Sequence, residues 1–314
     1  MGLFHCPLGA VSCGDEGCIQ CGLCSAATAQ EKKAAAEKMR SWIREHGSTR
    51  SDIKIRKIAV CGKGGAGKST TTALLSGALE MLGYRSLILD TDSSNGGLWR
   101  KLGLSGPPQP LCAEDGPPQF LAKDPLYLDD IAPPYIAQNG RRSMVLAGKL
   151  EDPLLGCACS IGAFAKTLID NITLNPNELV IADQEAGVES FGRGVEQGCD
   201  TVLILVEPSS ESIELAEKIQ YMAQGLGIHR IRAIMNKVED EAQEEFLQEA
   251  LSARSIRYLG ALALRRDIRS CNLYGTGLTQ EFCYLVAGQL ARFLLDEAEM
   301  SYTKPKEADF NVNA

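Results

Sequence analysis

Short apolar runs alternate with helical patterns along most of the chain. Between the runs, apolar residues recur three and four positions apart, as at Leu75, Leu79 and Leu82, a spacing that places them on one face of a helix. Strands that alternate with helices predict an α/β fold, with a mainly parallel sheet and helices on both of its faces. The seven predicted strands are 56–61, 86–90, 142–147, 178–183, 201–206, 230–235 and 257–263.

The pattern changes toward the two ends of the chain and in one internal segment. Residues 26–46 are rich in Ala, Glu, Lys and Gln and lack Pro and Gly, which predicts a helix. Residues 105–125 are rich in Pro and Gly and predict an inserted loop that covers a site or contacts a client. We predict four parts: a cysteine-rich head with its helix at 1–46, a polar linker at 47–54, the α/β domain at 55–300 and a disordered tail at 301–314.

Residues 62–70 form a glycine-rich segment between the first predicted strand and a predicted helix. In that context backbone N–H groups close around the phosphates of a nucleotide. Lys68 is expected to reach the β and γ phosphates, and the Ser69 hydroxyl to ligate Mg²⁺. The predicted nucleotide contacts of this phosphate loop are Gly62, Lys63, Gly64, Gly65, Ala66, Gly67, Lys68, Ser69 and Thr70.

Carboxylates close two of the predicted strands. Ligands of parallel sheets bind at the carboxyl ends of strands, which is where Asp90 and Asp183 lie. An aspartate that ends an apolar strand, as Asp183 does, is the Walker B pattern that holds Mg²⁺ through water. Asp90 and Asp92 predict support for the cation or for the attacking water, with a pair of acidic turn residues as the alternative. Gly187 is expected to give a switch segment its backbone freedom near the γ phosphate.

The amino-terminal head carries cysteines at iron–sulfur spacing. Residues 18–24 read Cys-Ile-Gln-Cys-Gly-Leu-Cys, which wraps a [4Fe–4S] cluster and leaves one iron to be ligated from elsewhere. A Cys-Pro pair upstream resembles the ferredoxin segment that supplies such a fourth ligand. We predict one [4Fe–4S] cluster on Cys6, Cys18, Cys21 and Cys24, with a zinc site on four thiolates as the alternative.

Cys157 and Cys159 flank one alanine just before the helical pattern 161–172. Side chains two residues apart point away from each other and cannot form a sensible disulfide. They can chelate half of a metal site that a second subunit completes, holding Ni²⁺, Zn²⁺ or a bridging iron–sulfur cluster. Two buried thiols at a helix start are the alternative. Buried thiols are also the expectation for the scattered cysteines, Cys61, Cys112, Cys199, Cys271 and Cys283.

Composition narrows the class of partner. The chain has 314 residues, a formal net charge of −8 and a pI of about 5.1, which argues against a general nucleic-acid-binding surface. No apolar run approaches the length of a membrane span, and the amino terminus lacks the apolar core of a signal peptide. We therefore predict a cytoplasmic protein with neither a nucleic-acid nor a membrane partner.

The phosphate loop has a second lysine, Lys63, and so resembles the deviant Walker A loop of the family of MinD, ParA and the nitrogenase iron protein. The resemblance implies an ATP-hydrolysing homodimer in which Lys63 reaches the nucleotide of the partner subunit. It further implies that Asp92 positions the hydrolytic water and that Asn236 contacts the adenine. The catalytic set is then Lys63, Lys68, Asp92 and Asp183, while simple solvent exposure of Lys63 is the alternative.

Residues 183–194, together with the Cys-x-Cys pair, resemble CooC-type ATPases over about residues 55–296. Proteins of that type assist nickel insertion into carbon monoxide dehydrogenase and dimerise around a metal held by the pair. The resemblance implies a nickel-insertion chaperone with a metalloenzyme client. The cysteine-rich head is a departure from the simple CooC pattern.

Three hypotheses about function follow. The leading one is a maturation ATPase that couples ATP hydrolysis to metal binding and transfer to a nickel–iron–sulfur enzyme of the carbon monoxide dehydrogenase type. The rival is an ATP-gated electron donor resembling the nitrogenase iron protein, which the ferredoxin-like head favours. A positioning ATPase of the MinD or ParA type is disfavoured, because the sequence shows neither a basic surface nor a carboxy-terminal amphipathic membrane helix.

Overall fold

Eight strands form a single sheet. The computed structural model describes positions 28, 30, 31, 34 and 38 and residues 55–92, 96–112, 117–148, 158–188, 191 and 194–300, with the backbone alone at 158–160 and 297–300. The strands are β1 (Lys57–Gly62), β2 (Arg85–Asp90), β3 (Ala137–Asn139), β4 (Arg142–Leu146), β5 (Glu178–Asp183), β6 (Thr201–Val206), β7 (Arg230–Val238) and β8 (Tyr258–Ala263). Their order across the sheet is β3-β4-β2-β5-β1-β6-β7-β8.

Helices connect most of the strands. They are α1 (Lys68–Met81), α2 (Leu98–Lys101), α3 (Ala158–Asn171), α4 (Ser210–Gly225), α5 (Glu241–Ser252), α6 (Arg266–Tyr274) and α7 (Gln280–Met300). Within the part of the chain that the structure describes, no helix combines the length and the apolar character that crossing a bilayer requires.

The predicted α/β fold with a mainly parallel sheet is confirmed. All neighbouring strands pair in parallel except β3 and β4, and each of the seven predicted strands forms. β3 was not predicted, because its three residues, Ala-Gln-Asn, lack an apolar pattern and lie at the sheet edge. β7 is also longer than predicted and continues through Asn236 to Val238.

The sheet has an apolar core on each face. Successive residues of β1 alternate between the two cores, so that Ile58 and Val60 face the side of α1 and α7 while Ala59 and Cys61 face the side of α3, α4 and α5. Parallel strands covered on both faces must be apolar at nearly every position, which is why β5 and β6 are buried throughout. The same pattern made these strands visible in the sequence.

The Pro/Gly-rich segment 105–125 is more than a covering loop. Leu111, Phe120 and Leu121 are buried in the core on the α3 side, and a 3₁₀ turn spans Gln119–Ala122. The described part of this segment therefore packs as an element of the fold. Among the scattered cysteines, Cys61, Cys199 and Cys283 are buried as expected, whereas Cys112 and Cys271 are partly exposed.

The predicted helix of the head is described at a few positions. Gln30, Glu31, Ala34 and Lys38 are helical, and Thr28 and Glu31 exchange side-chain to backbone hydrogen bonds in a capping box. The helix therefore begins after Thr28. The four cysteines predicted to ligate the cluster, Cys6, Cys18, Cys21 and Cys24, lie outside the described residues.

A close contact joins α1 to α7. A Cβ atom at Gly77 would lie 2.6 Å from the Cβ and Sγ atoms of Cys283. The Cys283 thiol donates to the Ala73 carbonyl at 3.6 Å, and burial raises the pKa of this thiol to about 12. Cys283 is thus a packing residue, and the absence of a side chain at Gly77 sets the distance between the two helices.

Gly77→Ala tests this contact, because crowding and helix propensity change the free energy of unfolding in opposite directions. Alanine is favoured over glycine in a helix interior by about 1 kcal/mol, so an uncrowded site would be stabilised. The contact with Cys283 predicts the opposite, a fall of about 1–3 kcal/mol in the free energy of unfolding, because the helices must separate. Urea denaturation measures the change, with Gly106→Ala, where a Cβ meets open space, as the control. A gain in stability for Gly77→Ala would contradict the analysis.

Candidate functional site

The phosphate loop wraps the amino-terminal end of α1. Gly65 and Gly67 have φ of 80° and 95°, left-handed angles that glycine adopts at little cost. A side chain at Gly67 would also place its Cβ 2.5 Å from the Asn236 amide nitrogen. The first turn of α1 contains no acidic residue, so the positive end of the helix dipole is not offset from within the helix. The loop can therefore receive phosphate oxygens on its backbone N–H groups.

Lys68 lies beneath the loop. It is 8% exposed, and its Nζ donates to the carbonyls of Gly62 and Lys63, each at 3.2 Å. Neutral carbonyls satisfy the hydrogen-bonding capacity of an ammonium group without neutralising its charge. The Lys68 cation is thus available to an anionic ligand in the loop.

Asp183, the last residue of β5, is a deeply buried carboxylate at this edge of the sheet. It is 1% exposed and accepts hydrogen bonds from the hydroxyls of Ser69 and Thr72, the latter at 3.5 Å. Burial raises its pKa to about 6, against the opposing effects of the Ser69 hydrogen bond and the Lys68 charge. An ionised carboxylate here is stabilised by any cation that joins the site.

The end of β2 is tied to the end of β5. The Asp90 carboxylate is 1% exposed and accepts from the backbone N–H of Asp92 at 3.1 Å. Thr91 donates through its hydroxyl to the Asp183 carbonyl at 2.9 Å and to the Gln184 side chain at 3.1 Å. Asp92 is close enough to contribute to the raised pKa of Asp183. The structure thus brings the ends of β2 and β5, with the three predicted aspartates, to one edge of the sheet.

Gly187 lies against the end of β1. Its φ is 87°, and its N–H donates to the Gly62 carbonyl at 3.2 Å in an isolated antiparallel bridge. A Cβ at Gly64 would lie 3.6 Å from that of Ala186. The segment after β5 therefore folds back over the phosphate loop. The remaining predicted loop residues are placed beside it, with Ala66 buried and Thr70 in the first turn of α1.

β7 supports the phosphate loop from the side. Asn236 donates through its amide to the Ala66 carbonyl at 2.6 Å, and Lys237 donates through Nζ to the Gly65 carbonyl at 2.6 Å. Lys237 has a left-handed φ of 61°, which is uncommon for a residue with a side chain. Asn236, which the resemblance implies as an adenine contact, lies inside β7, where its amide donates to the phosphate loop.

Lys63 is paired within its own chain. Its Nζ lies 3.5 Å from Oε1 of Glu207 and 3.7 Å from Oε2 of Glu211, and the side chain is 38% exposed. The other carboxylate oxygen of Glu207 lies 3.0 Å from Nζ of Lys237. Glu207 therefore bridges two lysines that belong to, or support, the phosphate loop.

The predicted thiolate ligands lie outside the part of the chain whose side chains the structure describes. Cys157 lies outside the described residues, and Cys159 falls in the first turn of α3, where only the backbone is described. Within the described ranges, no three His, Cys, Asp or Glu side chains converge to hold a metal ion by themselves. Magnesium at the phosphate loop would therefore depend on Ser69, water and phosphate oxygens in addition to the aspartates.

Four residues at this edge were missed by the sequence analysis. Thr91, Gln184 and Glu207 each directly follow a strand. Lys237 is the last residue but one of β7, in the part that extends beyond the predicted strand. The carboxyl-edge rule, applied to every polar residue directly after a predicted strand, would have found the first three. Lys237 carried no such signal, because its role depends on the unpredicted length of β7.

The chain is similar to known nucleotide-binding proteins over most of its length. The profile of the CobQ/CobB/MinD/ParA nucleotide binding domain matches residues 57–279. The chain is 32% identical over 239 residues to an uncharacterized ATP-binding protein of Methanocaldococcus jannaschii, covering 72% of this chain and 94% of that one. It is 30% identical over 237 residues to the carbon monoxide dehydrogenase accessory protein CooC of Rhodospirillum rubrum, covering 70% and 88%.

Solved structures agree on the fold. The cell division ATPase MinD of Pyrococcus furiosus superposes with a TM-score of 0.58 at 21% identity, covering 80% of this chain and all of that one. Identity at this level supports the architecture alone.

Substituting Asp183 provides a pH test of its burial. The native carboxyl holds its proton up to a pKa of about 6, whereas in the unfolded chain it ionises near 3.8. Rising pH between these values therefore favours unfolding, and Asp183→Asn removes this effect. In nucleotide-free buffer with EDTA, we expect the unfolding free energy of the variant relative to wild type to rise by about 1–2 kcal/mol from pH 5 to pH 7. A pH-independent difference in denaturation midpoints would contradict the burial of a raised-pKa carboxyl.

Proposed function

The chain belongs to the CobQ/CobB/MinD/ParA family of nucleotide-binding proteins and is a P-loop ATPase, and from this premise we propose that it assists the maturation of a nickel–iron–sulfur enzyme. In this proposal ATP hydrolysis drives the binding and release of a metal ion at a site formed by Cys157 and Cys159 of two subunits. The metal is the cargo, and an enzyme of the carbon monoxide dehydrogenase type is the client.

The observation that carries the proposal is the relation to CooC, which extends over 70% of this chain and 88% of that accessory protein. A match of this extent includes far more than a phosphate loop, which many unrelated ATPases share. The Cys-x-Cys pair adds two soft ligands, which suit nickel or zinc. Two thiolates leave such an ion incompletely coordinated, and a second copy of the chain would supply the rest.

The site geometry supports the ATPase half of the proposal. Lys68 and the loop N–H groups would hold the phosphates, and the residues present fit a hard cation, because the Ser69 hydroxyl and the buried Asp183 carboxylate are adjacent oxygen donors. Bound Mg²⁺ supplies neutralisation of the charge that develops on the phosphate oxygens. Asp92, close to Asp183, would orient the attacking water.

Nucleotide can move a metal only if two states of the protein bind that metal with different affinity. A dimer that closes on ATP provides two such states, since closure changes the distance between the paired thiolates. Lys63 would contribute to closure by reaching the nucleotide of the second subunit. A change in the geometry of the thiolate ligands after hydrolysis would then release the metal to the client.

An ATP-gated electron donor is the second candidate, and the cysteine-rich head favours it. A cluster on Cys6, Cys18, Cys21 and Cys24 would offer a redox centre in line with one bridged at Cys157 and Cys159. The two candidates differ in what the bridging site holds.

Metal analysis of anaerobically purified protein separates the two candidates. Wild type and Cys157→Ala/Cys159→Ala would be assayed for iron, sulfide, nickel and zinc. We expect the variant to lose nickel or zinc while the iron of the head is unchanged, because only the paired thiolates bind the cargo. Loss of iron and sulfide instead would favour the electron donor, and an unchanged metal content would contradict both.

Lys68→Ala tests the phosphate loop. Removing the buried cation that faces the phosphates should lower ATP turnover at least about a hundredfold, with the visible absorbance of the head cluster intact. Lys218→Ala, which removes a lysine on the exposed surface of α4, is the control and should retain wild-type turnover. Normal phosphate release from Lys68→Ala would contradict the proposed chemistry.

A further inference from the structure

The side chain of Lys63 is bound to two carboxylates of its own chain. Glu207 and Glu211 contact its Nζ at 3.5 and 3.7 Å, and both lie at the junction of β6 and α4. A lysine used only for solubility would have no need of two convergent carboxylates. The proximity of Lys63 also helps to lower the pKa of Glu211, after the contribution of the Glu211 backbone N–H.

The junction that carries the two carboxylates is held in place by hydrogen bonds. Ser209 caps α4 by accepting from the Ser212 N–H at 3.3 Å, and the Ser212 hydroxyl accepts from the Glu207 N–H at 3.1 Å. The Ser209 N–H in turn donates to the Glu207 carbonyl at 2.7 Å. The backbone that carries the two carboxylates is therefore held in a fixed turn.

Glu207 has a second function that does not require Lys63. Its Oε2 binds Lys237, whose Nζ also donates to the Gly65 carbonyl of the phosphate loop. Withdrawal of Lys63 would leave Glu207 paired with one cation, so the support of the loop by Lys237 would persist. Glu211, by contrast, is paired with Lys63.

We propose that Glu207 and Glu211 form a latch that holds Lys63 in the nucleotide-free protomer and must open before Lys63 can reach the nucleotide of a second copy of this chain. The inference rests on the proposed function, because it presupposes an ATP-dependent dimer. The phosphates of ATP are the competing anion. The phosphates of ATP carry more negative charge than the two carboxylates do. Loss of the γ phosphate lowers the negative charge that Lys63 can meet.

The latch makes dimerisation conditional on the nucleotide. Formation of one dimer opens two latches, one in each subunit. The factor by which one latch changes the dimer dissociation constant is therefore squared. Exposed ion pairs typically shift an equilibrium roughly 1.4- to 5-fold, and two together shift it roughly two- to thirtyfold. An effect of this size shifts the equilibrium of the nucleotide-free protein toward the single protomer.

The first experiment measures the dimer. Sedimentation equilibrium with a non-hydrolysable ATP analogue would compare wild type with Glu211→Gln and Glu207→Gln, which keep the side-chain size and remove the charge. We expect both variants to dimerise more tightly, with the dissociation constant for Glu211→Gln lower by roughly two- to thirtyfold. Glu214→Gln, one turn along the exposed face of α4, is the matched control and should equal wild type. Equal urea midpoints would establish that all variants are folded.

The second experiment measures the latch itself in nucleotide-free protein. Two carboxylates engage the Lys63 Nζ, so removing one leaves the amine less restrained and more accessible to a reagent. Acetylation by acetic anhydride, followed by mass spectrometry, should show faster modification of Lys63 in Glu207→Gln and Glu211→Gln than in wild type or Glu214→Gln. Lys218 of the same molecules is the internal reference and should react equally in all four.

The outcomes separate the latch from the proposed function. If wild type dimerises with the analogue but neither variant changes the dissociation constant, the latch is wrong and the dimer stands. Weaker dimers in both variants would also overturn the latch, since the carboxylates would then act across the interface. If wild type stays a single protomer with the analogue, the dimer of the proposed function fails, and with it the gating role, whatever the Lys63 acetylation rates.

Discussion

The burial of one carboxylate beneath a glycine loop is the constraint on which this site depends. Asp183 is held out of water by β5 and is met by the hydroxyls of Ser69 and Thr72 and by the charge of Lys68. These contacts offset only part of the desolvation, so burial favours the protonated form of Asp183. A cation with a nucleotide phosphate removes that bias. Ligand binding and the stability of this edge of the sheet are therefore linked.

The phosphate loop is held by neighbours that are distant in sequence. β7 reaches it through Asn236 and Lys237, and the segment after β5 reaches it through Gly187. These contacts hold the backbone of the loop, whereas the long side chain of Lys63 is held by ion pairs to the half-buried Glu207 and the exposed Glu211. Such pairs are weak and are readily exchanged. The site thus combines a phosphate loop whose backbone is held by hydrogen bonds with a lysine whose side chain is held by ion pairs.

Most of the sheet could be predicted because a parallel sheet covered on both faces must be continuously apolar. β5 and β6 are buried at every position and are apolar from Leu179 to Ala182 and from Val202 to Val206, and the end of β5 then places Asp183 beside the loop. β3 escaped prediction because three residues at an edge need no pattern of their own. The Pro and Gly residues of segment 105–125 predict a loop, although its apolar residues enter the core. Local composition carries no information about such long-range packing.

The sequence by itself determined the α/β class, the phosphate loop and the aspartates that close β2 and β5, because glycine conformation, apolar periodicity and strand-end position are local properties. Only the tertiary structure decided which side chains meet. Glu207 bridges Lys63 and Lys237 across intervals of 144 and 30 residues, and no local pattern encodes a contact that depends on the order of β1, β6 and β7 in the sheet. The raised pKa of Asp183 likewise results from burial, which exists only once the chain has folded.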